Sequence, residues 1–323
     1  MTSIDAHIAP KELQAYLHSK NWLHPKEIIQ QVAIAGEGNM NVVLRIITDQ
    51  RSFILKQSRP YVQKYQDIEA PLDRIHVEQL FYKTIDSEAM RPHTPSVLHY
   101  DAQNYLLQLQ DLGKCEDMTL VYQQRSVSEQ QQAQLIRIIH LVHTASAPQD
   151  FPENIILRKL NHQHIFVLPF QEDNGFDLDA IQNGLQELSM KYKQDHQLKA
   201  QIAAIGEHYL SKGNVLLHGD YYPGSWMSAN DHIFVIDPEF SFVGFAEFDL
   251  GVLAGHLILT TGEDRILNLI ENQYPLSVDS KLVRQMAGIE MMRRLIGLAQ
   301  LPLERSISEK TILLQMAHKM ILS

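Results

Sequence analysis

The stretch LLHGDYYPGSWMSANDHIFVIDPEF, from Leu216 to Phe240, constrains this chain more than any other part of it. Two carboxylates, Asp220 and Asp237, each follow an apolar run. VLLHGD has the pattern of a buried strand entering a tight glycine turn, and WMS and HIFVI read as two short strands around the turn signal SANDH. A chain that leaves and returns over such a hairpin brings its ends together, so Asp220 and Asp237 are expected near one another. Neighbouring carboxylates repel unless something positive sits beside them, and a magnesium ion on a polyphosphate suits the arrangement. Glu239, two residues beyond Asp237, points to the same side of an extended segment and adds an oxygen ligand.

A chain of 323 residues exceeds what one compact core usually supports, so two lobes are expected. No apolar run approaches the roughly 20 residues of a spanning helix. The opening MTSIDAHIAPKEL has no basic region followed by an apolar one, which predicts a cytoplasmic location. Asp and Glu outnumber Lys and Arg by 38 to 28, a net charge of -10 that argues against nucleic acid and for a small-molecule partner. The single cysteine, Cys115, leaves no disulfide within the chain and no cysteine cluster for zinc. His140, His143, His162 and His164 lack a pattern such as H-E-x-x-H and are expected to be structural.

Along the chain, KELQAYLHSKNW predicts an opening helix, VAIAGEGNMNVVLRI two strands around a Gly-rich turn, and SFILKQ a third strand. PLDRIHVEQLFYKTI carries Leu72, Ile75, Leu80 and Phe81 at helical spacing, and HTPSVLHYDAQNYLLQLQDLG holds two further strands. Helical patterns dominate beyond, including a capping box from Ser128 to Gln131. The expectation is an α+β chain with an N-terminal lobe over residues 1–111, built on an antiparallel sheet with a helix, and a larger, mostly helical C-terminal lobe over 112–323.

The order of parts then matters. A Gly-rich turn (Gly36, Gly38), a lysine on the following strand (Lys56), a glutamate on the following helix (Glu78), and H-G-D and D-P-E far downstream reproduce the order of a kinase-type phosphoryl-transfer site. No G-x-x-x-x-G-K-[ST] segment occurs, so the Walker route to ATP is not the one used. HGDYYPGS followed by VIDPEFSFVGFAEFDLG resembles the aminoglycoside phosphotransferase and choline kinase superfamily. Within it, GEGNMNVVLRI, ILKQSRPYV, LDRIHVE, DPEFSFVG and MMRRLIGLA are most similar to the 5-methylthioribose kinases, in that family's order from about residue 30 to residue 300. Tyr222 and Ser225 depart from the superfamily's usual H-G-D-x-H-x-x-N loop.

The resemblance implies a bilobal protein-kinase-like fold with ATP between the lobes. Phosphoryl transfer would use Asp220 to orient and deprotonate an attacking hydroxyl, and Asp237 with Glu239 to hold Mg2+. Lys56 would contact phosphates and pair with Glu78, and the backbone from Gly36 through Gly38 and Asn39 to Asn41 would cover the triphosphate. The segment Gln108 to Gln110 resembles the hinge whose backbone binds adenine. Helical spacing turns Met291, Leu295 and Leu298 to the core and leaves Arg293 and Arg294 about 100° apart; in the family that pair lies at the sugar site. A ribose-like sugar such as 5-methylthioribose is the expected acceptor. Three alternatives stay open: an amino alcohol, homoserine or an aminoglycoside as acceptor. A nucleotide-binding module without catalysis is a fourth, and a homodimer is left open.

Overall fold

In the computed structural model, residues 4, 5, 7–36, 40–63 and 65–323 are described, with backbone alone at 65 and 66. The chain divides into two compact units, Met1–Cys115 and Glu116–Ser323. The first begins with α1 (Pro10–Ser19), then β1 (Ile29–Ile34), β2 (Asn41–Thr48) and β3 (Ser52–Ser58), a small β4–β5 pair (Tyr61–Val62 and Tyr65–Glu69), α2 (Arg74–Thr84), β6 (Val97–Asp101) and β7 (Leu106–Gln110). Its main sheet is antiparallel in the order β1-β2-β3-β7-β6. Alternation along the strands sets the core: Leu44 and Ile46 on β2 and Phe53 and Leu55 on β3 are buried with Leu13 and Leu17 of α1. The same alternation turns Lys56 to the other face of β3 from Phe53 and Leu55. Helix α2 starts at Arg74, later than the sequence pattern implies, so Leu72 lies outside it and Leu80 is only half-buried. Arg74 is itself fully buried, donating to the carbonyls of Arg59, Pro71 and Met40.

The second unit contains β8 (Glu116–Asp117), α3 (Val121–Gln124), α4 (Glu129–His143), α5 (Ile155–His162), α6 (Leu185–Lys193) and α7 (His196–Leu210). Four short strands follow, β9 (Val215–Leu217), β10 (Trp226–Ala229), β11 (His232–Val235) and β12 (Phe242–Gly244). Helices α8 (Ala246–Thr261), α9 (Arg265–Gln273), α10 (Ser280–Ile296) and α11 (Ile307–Leu322) complete it. The capping box expected at Ser128 is present at the start of α4. Helix α8 is apolar on nearly every side and buried from Phe248 to Thr260, as befits a central helix. No helix among the described residues is long and apolar enough to cross a membrane.

Two glycines one turn apart set how closely α8 meets α10. A Cβ on Gly251 would collide with the Met286 side chain, and one on Gly255 would lie 2.9 Å from the Ala287 carbonyl and 3.1 Å from Glu290 Cβ. Neither neighbour can move without shifting α10. Gly255→Ala should therefore destabilise the protein by about 1–3 kcal/mol, the usual cost of overpacking. Urea unfolding checks this; an unchanged midpoint would mean that the helices separate without strain.

Candidate active site

The loop that carries Asp220 is closed by a ladder the sequence pattern did not reveal. Strand β12 pairs antiparallel with β9, Phe242 opposite Leu217 and Gly244 opposite Val215, so the chain segments bearing Asp220 and Asp237 begin and end side by side. Between them β10 and β11 form the expected hairpin, Trp226 opposite Val235, and Asn230 and Asp231 turn it with φ of 49° and 63°. Gly219, at φ 85°, is required twice over: the left-handed backbone suits glycine, and a Cβ would collide with the Phe240 carbonyl. Asp237 also sits in the left-handed region, at φ 62° and ψ 47°.

Backbone hydrogen bonds hold the loop in place. Asp249 of α8 accepts from the amides of His218 (2.7 Å) and Gly219 (3.0 Å), one with each carboxylate oxygen. Its Oδ2 also accepts from His143 Nε2 at 3.1 Å, and Tyr274 donates to His143 Nδ1 at 2.7 Å. His218 Nε2 donates to the Ile236 carbonyl at 3.0 Å, which ties the Asp220 loop to the strand leading into Asp237. Its Nδ1 is then left to accept from the Asp220 amide at 3.3 Å.

Asp220 meets two guanidinium groups. Its Oδ1 lies 4.0 Å from Arg293 Nη2 and 3.9 Å from Arg294 Nη2, beyond hydrogen-bond range. The inner edges of both arginines are taken by Glu290, whose Oε2 accepts from Arg293 Nε at 2.5 Å and whose Oε1 accepts from Arg294 Nε at 2.8 Å. His256 Nε2 donates to the same Oε1 at 2.8 Å, and Tyr122 OH donates to His256 Nδ1 at 2.6 Å. Arg294 also lies over the Tyr222 ring, 4.9 Å from its centroid. The helix carrying the arginines ends at Ile296, so Leu298 lies beyond it and is exposed instead of turning to the core.

Burial sets the protonation pattern. It raises Asp220 from the ordinary 3.8 to about 6 against the opposing pull of Arg294 and Arg293, with Glu290 and Glu239 adding to the rise. Burial lowers His256 to about 4, so its ring is neutral near pH 7. Burial alone would raise Glu290, but Arg293 and Arg294 hold it well below the usual carboxylate range. The charges of Asp220 and Asp237 both raise the Tyr222 phenol, after burial and alongside the lowering effect of Arg294.

Among the described residues no group of three or more His, Cys, Asp or Glu forms a metal cage. Asp237 and Glu239 are hard oxygen donors in one short turn, a set that fits a magnesium ion drawing its other ligands from phosphate and water. Ser225 is buried, its amide donating to Tyr222 and its carbonyl accepting from Ile236.

In the first unit, Lys56 Nζ lies 2.7 Å from Glu78 of α2, and both side chains are buried. Asn41 opens β2 and accepts a hydrogen bond from Ser58 Oγ at 3.2 Å. Gly36 has open space where a Cβ would stand, while Gly38 and Asn39 lie outside the described residues. The segment Gln108 to Gln110, expected to offer backbone to adenine, forms the end of β7. Gln108 is opposite Leu55 on one side and His99 on the other, so its backbone groups are spent on the ladder. Gln110, the last residue of β7, donates its amide to the Ser96 carbonyl.

Sequence inspection missed Glu290, His256, Tyr122 and Asp249. Glu290 alone left a local signal, since it stands three and four residues before the two arginines, within reach on one helix. The others are joined only by packing. Between about pH 4 and pH 6, native Asp220 keeps a proton that an unfolded chain has released, so its contribution to stability is largest below that window and falls as pH rises through it. Asp220→Asn should therefore gain stability relative to the unsubstituted protein as the pH rises from about 4 to about 7. Urea midpoints across that range test the shift, and a constant difference would put Asp220 back at its ordinary value.

The model of the "Phosphotransferase enzyme family" (APH) matches residues 31–276. A methylthioribose kinase of Exiguobacterium sibiricum is 28% identical over 244 residues, 71% of this chain and 61% of that protein. The chain thus spans about three-fifths of the length of the curated relatives it matches. Among solved structures, a choline/ethanolamine kinase family protein from Mesorhizobium loti superposes with a TM-score of 0.54 at 14% identity, covering 97% of this chain and 95% of that one. A spectinomycin phosphotransferase in complex with ADP and spectinomycin gives 0.51 at 13% identity, covering 98% of each chain. These two likenesses concern the fold: an N-terminal antiparallel sheet with a helix and a mostly helical C-terminal part.

Proposed function

This chain belongs to the phosphotransferase enzyme family, and on that premise we propose that it transfers the γ-phosphate of ATP to a hydroxyl of a ribose-like sugar such as 5-methylthioribose. The observation that carries the proposal is the pairing of Asp220 with the outer ends of Arg293 and Arg294 at 4.0 and 3.9 Å. A carboxylate raised to about 6 is ionised near pH 7 yet basic enough to take a proton as the acceptor oxygen attacks. The new bond joins that oxygen to the γ-phosphorus, the bond to the β-phosphate oxygen breaks, and ADP leaves.

The guanidinium ends would receive hydroxyl oxygens of the acceptor, and the Tyr222 ring would flank it beside Arg294. Asp237 and Glu239 would hold a magnesium ion that neutralises phosphate charge. In the first unit, Lys56 paired with Glu78 would contact the phosphates, with Gly36 and Asn41 flanking them and backbone beyond Gln110 meeting the base. Two arginines at the acceptor oppose a cationic amino alcohol or aminoglycoside, which would need carboxylates there. A need for ATP would suit a cytoplasmic location.

Purified protein with ATP, magnesium and 5-methylthioribose should release ADP and yield a phosphorylated sugar. Asp220→Ala should lower kcat by about 10²–10⁴-fold, the range for loss of a general base, and Asp237→Ala should raise the magnesium concentration needed for half-maximal rate. Turnover that survives Asp220→Ala would overturn the assignment of the base. Turnover confined to choline or an aminoglycoside would overturn the sugar.

A further inference from the structure

Glu290, His256 and Tyr122 are all buried and are joined in one chain of hydrogen bonds that ends on the two arginines facing Asp220. The chain has a fixed direction. A carboxylate can only accept, so His256 Nε2 carries the proton toward Glu290, and Nδ1 is left as the acceptor for Tyr122. Tyr122 thereby selects the tautomer in which His256 can donate. Glu290 in turn binds the Nε edge of both arginines, one with each oxygen.

The consequence lies at the other ends of the guanidinium groups. Arg293 and Arg294 stop 4.0 and 3.9 Å short of Asp220, although a carboxylate and a guanidinium left to themselves close to about 2.7–2.9 Å. A direct pair would neutralise the base and fill the place where an acceptor oxygen must enter. We propose that Glu290 is a positioning residue that holds both arginines off Asp220, that His256 and Tyr122 fix Glu290 in that role, and that this relay sets affinity for the acceptor. The proposal rests on the sugar-kinase reading for its kinetic consequence, but not for its geometry.

Three variants separate the relay from simple support of the fold. His256→Leu removes the donor to Glu290, His256→Gln returns an amide donor at the same reach, and Tyr122→Phe removes only the group that selects the tautomer. With 5-methylthioribose as acceptor, His256→Leu should raise the acceptor KM by about tenfold or more, the scale of a lost hydrogen bond to a buried charge. Its effect on kcat and on the KM for ATP should be smaller. His256→Gln should restore most of the acceptor KM, and Tyr122→Phe should fall between the two. Parallel rises in both KM values, or equal damage from His256→Leu and His256→Gln, would overturn the proposal.

A second measurement does not depend on turnover. The Nε–H signals of Arg293 and Arg294, assigned with Arg293→Lys and Arg294→Lys, should exchange slowly with solvent in the unsubstituted protein and faster in His256→Leu and Glu290→Gln. Unchanged exchange in His256→Leu would overturn the relay even if Glu290→Gln fails to fold. Faster exchange without phosphorylation of any acceptor would leave the relay standing and remove the kinase reading instead.

Discussion

The close approach of α8 and α10 is the constraint on which the second unit's chemistry depends. Gly251 and Gly255 remove the side chains that would hold the two helices apart. Helix α8 can then serve two sites from one rod. Asp249 near its start fixes the amides of His218 and Gly219, and His256, two turns on, reaches Glu290 of α10. The loop bearing Asp220 and the helix bearing Arg293 and Arg294 are therefore referenced to a single buried element, which limits drift between them.

Charge in this site is arranged in opposition. Two carboxylates, the fully buried Glu290 and the partly exposed Asp220, face two arginines, so the set is neutral when both acids are ionised. The partition is unequal. Glu290 takes the hydrogen bonds and stays ionised, whereas Asp220 receives only long-range attraction and remains basic. A buried polar network of this kind is costly if any member loses its partner, and Tyr122 and His256 complete it with neutral groups that add no further charge. Desolvation thus keeps Asp220 reactive, and hydrogen bonding keeps its neighbours still.

How much of this was legible depended on the range of each interaction. The capping box at Ser128 and the turn at Asn230 and Asp231 are local and read directly from residue type. The β1 to β3 order, the helix after it and the strands ending at Gln110 follow from hydrophobic alternation. Lys56 and Glu78 could be named from the order of parts, and the structure places them 2.7 Å apart. The β9–β12 ladder was not legible, because FVG is only three residues long and its pairing depends on Leu217 across the hairpin. The place of Gln108 in the sheet was not legible for a related reason: a strand's exposed edge is defined by its neighbours, and β7 has one on each side.

By itself the sequence determined which acids, bases and glycines the chain carries, the periodicities that make its strands and helices, and a motif order that resembles a phosphotransferase family. Those properties reside in single residues and short spacings. Only the tertiary structure decided that Glu290 stands between two arginines and a histidine, that Asp220 is held just out of their reach, and that Asp249 braces the loop from below. Such relations join residues up to 168 positions apart, as from Tyr122 through His256 to Glu290. They are fixed by helix packing, whose angles and separations no local pattern encodes.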